Sequence, residues 1–136
     1  KTHFLSFGGG STGYHNTLNR ICQQATSFDL FDKVVGKTEA DLKADTPFWT
    51  KHGRHIESNQ RGYGYWVWKP YIVKKYMESE MADGDILVFA DAGCTMNIYG
   101  HKRMTEYLEM VREHESGILS FQMNHHLNNK EECWLG

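Results

Sequence analysis

The sequence lacks the features that mark membrane proteins, nucleic-acid-binding proteins and repeat proteins. No apolar run approaches the roughly 18 residues of a membrane-spanning helix, and no stretch has the pattern of a signal peptide. A net charge of -2 gives no basic surface for nucleic acid. There is no internal repeat, low-complexity tract or linker. With 40% hydrophobic and 24% charged residues, the composition predicts one globular domain over 1–136, without a membrane span or a nucleic-acid partner.

Cysteine is also scarce, and its spacing is uninformative for metal binding. The three cysteines, Cys22, Cys94 and Cys133, are odd in number and form no Cys-x-x-Cys pair. This argues against a disulfide scaffold, and reduced thiols are typical of cytosolic proteins. We therefore expect a cytoplasmic protein in which Cys22 is a small core residue on a helix.

The hydrophobic pattern alternates strands with amphipathic helices. Strands are predicted at 3–7, 31–38, 85–90 and 118–123. Apolar residues at helical spacing form three stripes: Leu18, Ile21, Cys22 and Ala25; Val73, Tyr76, Met77 and Met81 after Pro70; and Met104, Tyr107, Leu108 and Val111 before Gly117. The stretch 39–62 is interpreted as rich in loops. This order is typical of an α/β fold with a mostly parallel central sheet and helices on both faces.

An acidic residue follows the third predicted strand. Asp91 comes directly after the apolar run 86–90, and the small residues Ala92 and Gly93 follow it. In open α/β sheets, ligands bind at the carboxyl ends of the strands. Two interpretations stay open: Asp91 caps the loop or a following helix, or it binds a divalent cation beside the phosphates of a nucleotide. In the second case the small residues let the ligand approach the backbone.

A glycine-rich turn follows the first predicted strand. Gly8, Gly10 and Gly13 match the dinucleotide-binding pattern Gly-x-Gly-x-x-Gly, and Asp29 stands about 20 residues further on. However, Asp29 precedes the second strand, whereas the pattern places its acid at the end of that strand. Tyr14 stands where a P-loop needs lysine, which excludes that phosphate site. The turn is either a nicotinamide or flavin site, or a tight turn into a helix N-terminus that favours an anionic ligand.

Aromatic residues are concentrated in one segment. Five of them fall within nine positions, flanked by two cations: Tyr63, Tyr65, Trp66, Trp68 and Tyr71, with Arg61 and Lys69. The rings fit either a hydrophobic core or a ligand surface. The cations fit either a solvated surface or contacts with phosphate oxygens.

Several segments together resemble a family of small nucleotide-sugar glycosyltransferases found in large DNA viruses, bacteria and plants. They are SFGGGS, RICQQA, FWTKH, NQRGYGYWVWKPYI and GDILVFADAGC, which occur in unbroken order over nearly the whole chain. The resemblance implies a Rossmann-like GT-A fold. It also implies transfer of a sugar from a nucleotide-diphosphate donor to a hydroxyl of a glycan or glycoprotein acceptor, with Mn²⁺ or Mg²⁺ on the diphosphate.

The resemblance also assigns residues. Donor-binding positions are Gly8, Gly9, Gly10, Ser11, Arg61, Trp66, Lys69, Asp91, Ala92 and Gly93. Asp91 matches the first acid of the family's metal-binding Asp-x-Asp segment, and Gly93 stands where many relatives carry the second acid. Two alternatives stay open: Asp91 holds the ion together with water, phosphate and a later residue, or the site works with basic residues instead.

The tail contains further candidates. His125 and His126 are candidate metal ligands, Glu131 and Glu132 are candidate general bases, and a polar surface loop is the alternative for all four. Because GT-A domains are usually longer than this chain, the resemblance allows catalytic residues beyond Gly136, and no general base is assigned. An NAD(P)-dependent oxidoreductase and a non-catalytic nucleotide-binding module stay open as alternative functions.

Overall fold

The central strand of the fold is buried along its whole length. In the computed structural model, which describes residues 1–121, β1 (Thr2–Phe7) pairs in parallel with β2 (Lys33–Lys37) on one side and β3 (Ile86–Phe89) on the other. The sheet order is β2-β1-β3. The helices are α1 (Thr12–Phe28), α2 (Glu39–Ala44), α3 (Thr46–Ser58), the single turn α4 (Gly62–Tyr65), α5 (Trp68–Glu80) and α6 (His101–Glu113). The protein is therefore α/β with a small parallel sheet.

The side chains of β1 alternate between two cores, one on each face of the sheet. Phe4 packs against α1 in one core, whereas Leu5 and Phe7 face the other. The first core contains Phe4, Leu18, Ile21, Ala25 and Ala92. The second contains Leu5, Phe7, Leu42, Phe48, Ile56, Trp68, Ile72 and Tyr76. Helices thus cover both faces, as the period-two pattern of the strand requires. The first three predicted strands and the predicted helices are confirmed.

The expectation of loops over 39–62 is wrong, because two capped helices occupy most of this stretch. Thr38 and Asp41 form a reciprocal capping box at the start of α2. Asp45 then accepts a hydrogen bond from the backbone N–H of Phe48 at 3.2 Å and caps α3, and Pro47 lies in the first turn of that helix. Since proline there has no unpaired N–H, the helix begins without a penalty.

The apolar face predicted for α5 is displaced along the helix. The buried residues of α5 are Trp68, Ile72 and Tyr76, whereas Met77 is half exposed. The stripe starts one turn earlier than predicted because Trp68 stacks on Phe7, with the ring centroids 4.0 Å apart. Pro70 does lie in the first turn, as predicted.

The fourth predicted strand is absent from the described part of its range. Residues 118–121 form no strand, and Ile118 and Phe121 are largely exposed. The chain turns after α6, where the N–H of Gly117 donates to the carbonyl of His114 at 3.0 Å, and 118–121 pair with no strand of the sheet. Positions 122 and 123 lie outside the described residues. Within 1–121, no helix is long and apolar enough to cross a membrane.

Candidate functional site

A cleft of about 960 Å³ opens at the carboxyl ends of the strands. Segments that follow β1, β2 and β3 all contribute to it, together with α3 and the segment between α3 and α5. Its lining residues include Phe7, Gly8, Gly9, Gly10, Tyr14, Glu39, Lys43, Trp49, Glu57, Gln60, Arg61, Tyr63, Trp66, Trp68, Asp91, Ala92 and Gly93. Eight of the ten predicted donor-binding residues are in this set; Ser11 and Lys69 are not.

The glycine turn (8–11) has a tight backbone. The N–H of Gly8 donates to the carbonyl of Lys37 at 3.0 Å, which ties the turn to the end of β2. A Cβ on Gly8 would stand 2.5 Å from the carbonyl oxygen of Tyr14, and Gly10 has a φ of 95°. Ser11 does not face the cleft; it caps α1 by accepting from the N–H of Tyr14 at 3.3 Å. The glycines therefore let α1 start directly behind β1.

The aromatic segment contains a left-handed turn (62–66). All five residues have positive φ: Gly62 at 58°, Tyr63 at 50°, Gly64 at 83°, Tyr65 at 52° and Trp66 at 59°. The left-handed conformation costs a residue with a Cβ roughly 1–2 kcal/mol. Two tyrosines and a tryptophan therefore hold a strained backbone at the edge of the cleft, and such strain persists only where the surroundings enforce it.

Hydrogen bonds from neighbouring elements hold this turn. The N–H of Gly64 donates to the carbonyl of Asn59 at 2.8 Å, and the Nε1 of Trp68 donates to the carbonyl of Gly62 at 3.1 Å. The Nε2 of His55 donates to the carbonyl of Gly64 at 3.0 Å. Because Trp68 is buried, the turn is anchored to the core on one side and open to the cleft on the other.

The left-handed turn separates the aromatic residues into two groups. Trp68 belongs to the core, and the hydroxyl of Tyr71 donates to the carboxylate of Asp45 at 2.8 Å. Tyr63 and Trp66 line the cleft, and Trp66 is 44% exposed. The guanidinium of Arg61, also in the cleft, lies 6.0 Å from the centroid of the Trp66 ring, which suits a cation–π contact. Trp68 and Tyr71 thus pack in or against the core, Trp68 also lines the cleft, and Tyr63 and Trp66 lie in the cleft.

Asp91 lies at the carboxyl end of β3, paired with a lysine. The ammonium of Lys69 is 2.8 Å from its Oδ1, and their side chains are 35% and 55% exposed. Lys69 also lies 5.6 Å from the centroid of the Phe89 ring. Within residues 1–121, the Asp91 carboxylate accepts no hydrogen bond from a backbone N–H, so the described structure gives it no capping role. Lys69 does not line the cleft itself, but its ammonium contacts the carboxylate of Asp91, which does.

The donors for a metal ion are sparse in the described part of the chain. No group of three or more His, Cys, Asp or Glu side chains is close enough to hold an ion there. Asp91 offers one half-exposed carboxylate, which suits an ion such as Mg²⁺ that keeps several waters and binds phosphate. The tail candidates His125, His126, Glu131 and Glu132 lie outside the described residues.

The cleft also contains charged residues that the sequence interpretation missed. Glu39, the first residue of α2, lines it directly after β2, and His15 of α1 bonds to its carboxylate. Lys43 lies 5.7 Å from the centroid of the Trp49 ring. One signal was available: Glu39 stands at the end of the second strand, where the glycine pattern expects an acid.

Filling the cleft at Gly93 should weaken ligand binding without harming the fold. A Cβ on Gly93 would meet nothing within 4 Å. With UDP or GDP as probes of the nucleotide-diphosphate ligand that the resemblance implies, we expect Gly93→Val to weaken binding roughly tenfold, about 1.4 kcal/mol, with an unchanged melting temperature. Gly100→Val is the matched control, because Gly100 is equally open and lies outside the cleft. Titration calorimetry measures the effect, and equal dissociation constants for the two variants would contradict it.

The fold and site together define an α/β protein with a cleft at the carboxyl edge of a parallel sheet. No protein-family model, curated protein or solved structure matches the chain. The function therefore has to be argued from the cleft.

Proposed function

We propose that the cleft binds a nucleotide-diphosphate sugar and that the chain is a glycosyltransferase domain of the GT-A type. The observation that carries this proposal is that the glycine turn, the left-handed turn and the Lys69–Asp91 pair meet around one cleft, although they lie far apart in the sequence. This is where open α/β sheets bind nucleotides. Of the segments that resemble the glycosyltransferase family, those that contain the glycine turn, the left-handed turn and Asp91 line this cleft, whereas RICQQA does not.

Two cations in or beside the cleft suit a diphosphate. Arg61 lines the cleft, and Lys69 holds its ammonium against the carboxylate of Asp91, which lines it. Charge-assisted contacts with phosphate oxygens are among the strongest hydrogen bonds in proteins. In glycosyl transfer the diphosphate leaves with additional negative charge, so fixed positive groups stabilise the transition state.

A divalent cation completes the proposal. Asp91 would hold it on the diphosphate, and the ion would supply charge neutralisation of the leaving group. Lys69 would then exchange its carboxylate partner for a phosphate oxygen. The aromatic surface of Tyr63 and Trp66 would position the sugar or the base by stacking. The acceptor's general base is not assigned.

A dinucleotide-dependent oxidoreductase is the second candidate, because Glu39 stands where the Gly-x-Gly-x-x-Gly pattern expects its acid. One observation disfavours it. The third glycine of that pattern serves close packing of helix against strand, but a Cβ on Gly13 would meet only the Oγ of Ser11, at 3.7 Å. Quenching of tryptophan fluorescence tests the two proposals. Saturable quenching by UDP or GDP and none by NADH supports the glycosyltransferase; the reverse result supports the oxidoreductase.

Asp91→Asn should separate metal binding from folding. The change keeps the size of the side chain and removes the charge that attracts a cation. Because exposed ion pairs contribute about 0–1 kcal/mol, the melting temperature should hardly change. We expect loss of the Mn²⁺-dependent gain in UDP or GDP affinity and of sugar transfer or donor hydrolysis.

Without metal, the same variant should bind the nucleoside diphosphate as well as the parent or better, since Lys69 is then free. Glu78→Gln is the control, because Glu78 also pairs with a lysine, Lys74, on the exposed surface. Calorimetric titration with and without Mn²⁺ gives the result. An undiminished Mn²⁺ response in Asp91→Asn would rule out Asp91 as the metal ligand.

A further inference from the structure

A second acid, Glu39, lines the cleft at the β2 edge of the sheet, whereas Asp91 lies at the β3 edge. Glu39 follows β2, and its side chain is only 21% exposed. Its carboxylate packs against the glycine turn so closely that a Cβ on Gly9 would stand 2.9 Å from its Oε2. In a cleft for a diphosphate, such a negative charge would oppose the ligand unless it binds a part of the ligand that donates hydrogen bonds.

His15 fixes this carboxylate. Its Nε2 lies 2.9 Å from the Oε1 and 2.8 Å from the Oε2 of Glu39. Burial would raise the pKa of Glu39, but the hydrogen bond from His15 and backbone amides, including that of Gly10, outweigh it and lower the pKa. Glu39 is therefore ionised and acts only as an acceptor. It is held in one orientation by a residue of α1.

The order of the strands places this acceptor relative to the phosphate-binding groups. Glu39 follows β2, the glycine turn follows the central strand β1, and Asp91 follows β3. Neighbouring strands lie about 4.8 Å apart, so the two outer strands are about 10 Å apart. That span suits a nucleotide whose ribose lies beside Glu39 and whose diphosphate lies beside Asp91, so that the nucleotide crosses the glycine turn.

We propose that Glu39 accepts hydrogen bonds from the ribose hydroxyls of the nucleotide and makes the cleft selective for ribonucleotides over 2′-deoxyribonucleotides. His15 is a positioning residue for this contact. The inference rests on the proposed nucleotide-diphosphate function and adds that the cleft recognises the ribose of the nucleotide. Glu57, which lines the cleft together with Glu39 and Asp91, is exposed on α3 and is not assigned this role.

The test compares UDP with dUDP, and GDP with dGDP, by titration calorimetry. The parent should bind the ribonucleotide about 10- to 150-fold more tightly than its deoxy form, the range for one hydrogen bond to a charged group. Glu39→Gln should bring the two dissociation constants to within a few-fold of each other, mainly by weakening binding of the ribonucleotide. Glu57→Gln, the matched control, should keep the parent's ratio. Melting curves confirm that each variant is folded.

The outcomes distinguish this inference from the function on which it rests. Tight binding of UDP or GDP with no discrimination against the deoxy form would overturn the role of Glu39 and leave the proposed function intact. If Glu39→Gln still prefers the ribonucleotide as strongly as the parent does, the role of Glu39 is likewise overturned and the proposed function is unaffected. Absence of any binding of UDP and GDP to the folded parent would overturn both. For the positioning role, His15→Ala should lower the ratio partially, and an unchanged ratio would refute that role.

Discussion

Gly64→Ala should lower the free energy of unfolding by about 2–5 kcal/mol. Two costs combine: the left-handed conformation at φ 83° costs an alanine roughly 1–2 kcal/mol, and overpacking adds about 1–3 kcal/mol. The overpacking arises because the new Cβ would stand 2.6 Å from the Cγ1 and 3.0 Å from the Cα of Ile56. The backbone contact cannot be relieved by a side-chain rotation.

Gly84→Ala is the matched control for this change. Gly84 has nearly the same φ, 89°, but a Cβ there would meet nothing within 4 Å. It should therefore carry only the conformational cost, about 1–2 kcal/mol. Urea unfolding of both variants measures the difference. Equal losses would mean that Ile56 yields to the added methyl group and that the left-handed turn is not locked by packing. Because Gly64 supports the turn that lines the cleft, its replacement should also weaken nucleotide binding.

Lys69→Met should weaken binding of a nucleoside diphosphate far more than binding of its nucleoside. The ammonium stands beside the carboxylate at the carboxyl end of β3 and would contact only the phosphates. Loss of one hydrogen bond to a charged group is worth roughly 1.5–3 kcal/mol, or about 10- to 150-fold in dissociation constant. Methionine keeps most of the aliphatic length, so contacts with Trp68 and Phe89 are largely retained.

Calorimetry with UDP and uridine, or GDP and guanosine, gives the comparison. Lys74→Met serves as the control, because Lys74 lies on the same helix and is 75% exposed in a pair with Glu78. The Lys74→Met variant should bind all four ligands with the affinities of the parent. If Lys69→Met weakens binding of the nucleoside and of the nucleoside diphosphate by the same factor, Lys69 supports the structure of the cleft and does not bind phosphate.

The sequence predicts the three observed strands because they carry a clear apolar pattern, but it also predicts a strand at 118–123 that is absent from 118–121. β1 and β3 are short apolar runs bounded by glycine or acidic residues, and the intervening stripes have helical spacing. The stretch 39–62 was misinterpreted because its histidines and charged residues obscure that spacing. Its capping signals were nevertheless present: Thr38 with Asp41, and Asp45 before Pro47.

The left-handed turn could not be predicted from local preferences. Gly62 and Gly64 tolerate positive φ, but Tyr63, Tyr65 and Trp66 do not favour it. Tertiary contacts decide the conformation there, above all the bond from Trp68 and the packing on Ile56. The composition of the segment fits either a core or a ligand surface, and the structure shows which rings lie in the cleft.

The pairing of His15 with Glu39 likewise could not be predicted from the sequence. The two residues stand in different helices, and only the register that sets β1 beside β2 brings them within 2.8 Å. By contrast, the sequence alone makes Asp91 a candidate site residue, because it interrupts an apolar run at a strand end. The sequence also makes Lys69 a candidate, but its contact with Asp91 joins two distant segments and follows only from the fold.

The position of β1 in the sheet has a consequence for the order of folding. Phe4 pairs with Val34 on one side and with Val88 on the other. Parallel pairings between distant segments form slowly, because the intervening chain must first be organised. During synthesis, β1 and β2 are complete long before β3 emerges, and one edge of β1 has no partner in that interval. An unpaired apolar edge is a template for association with other chains. The cleft needs the residues after β3, so we expect nucleotide to stabilise only the finished fold and to give no protection during this vulnerable period.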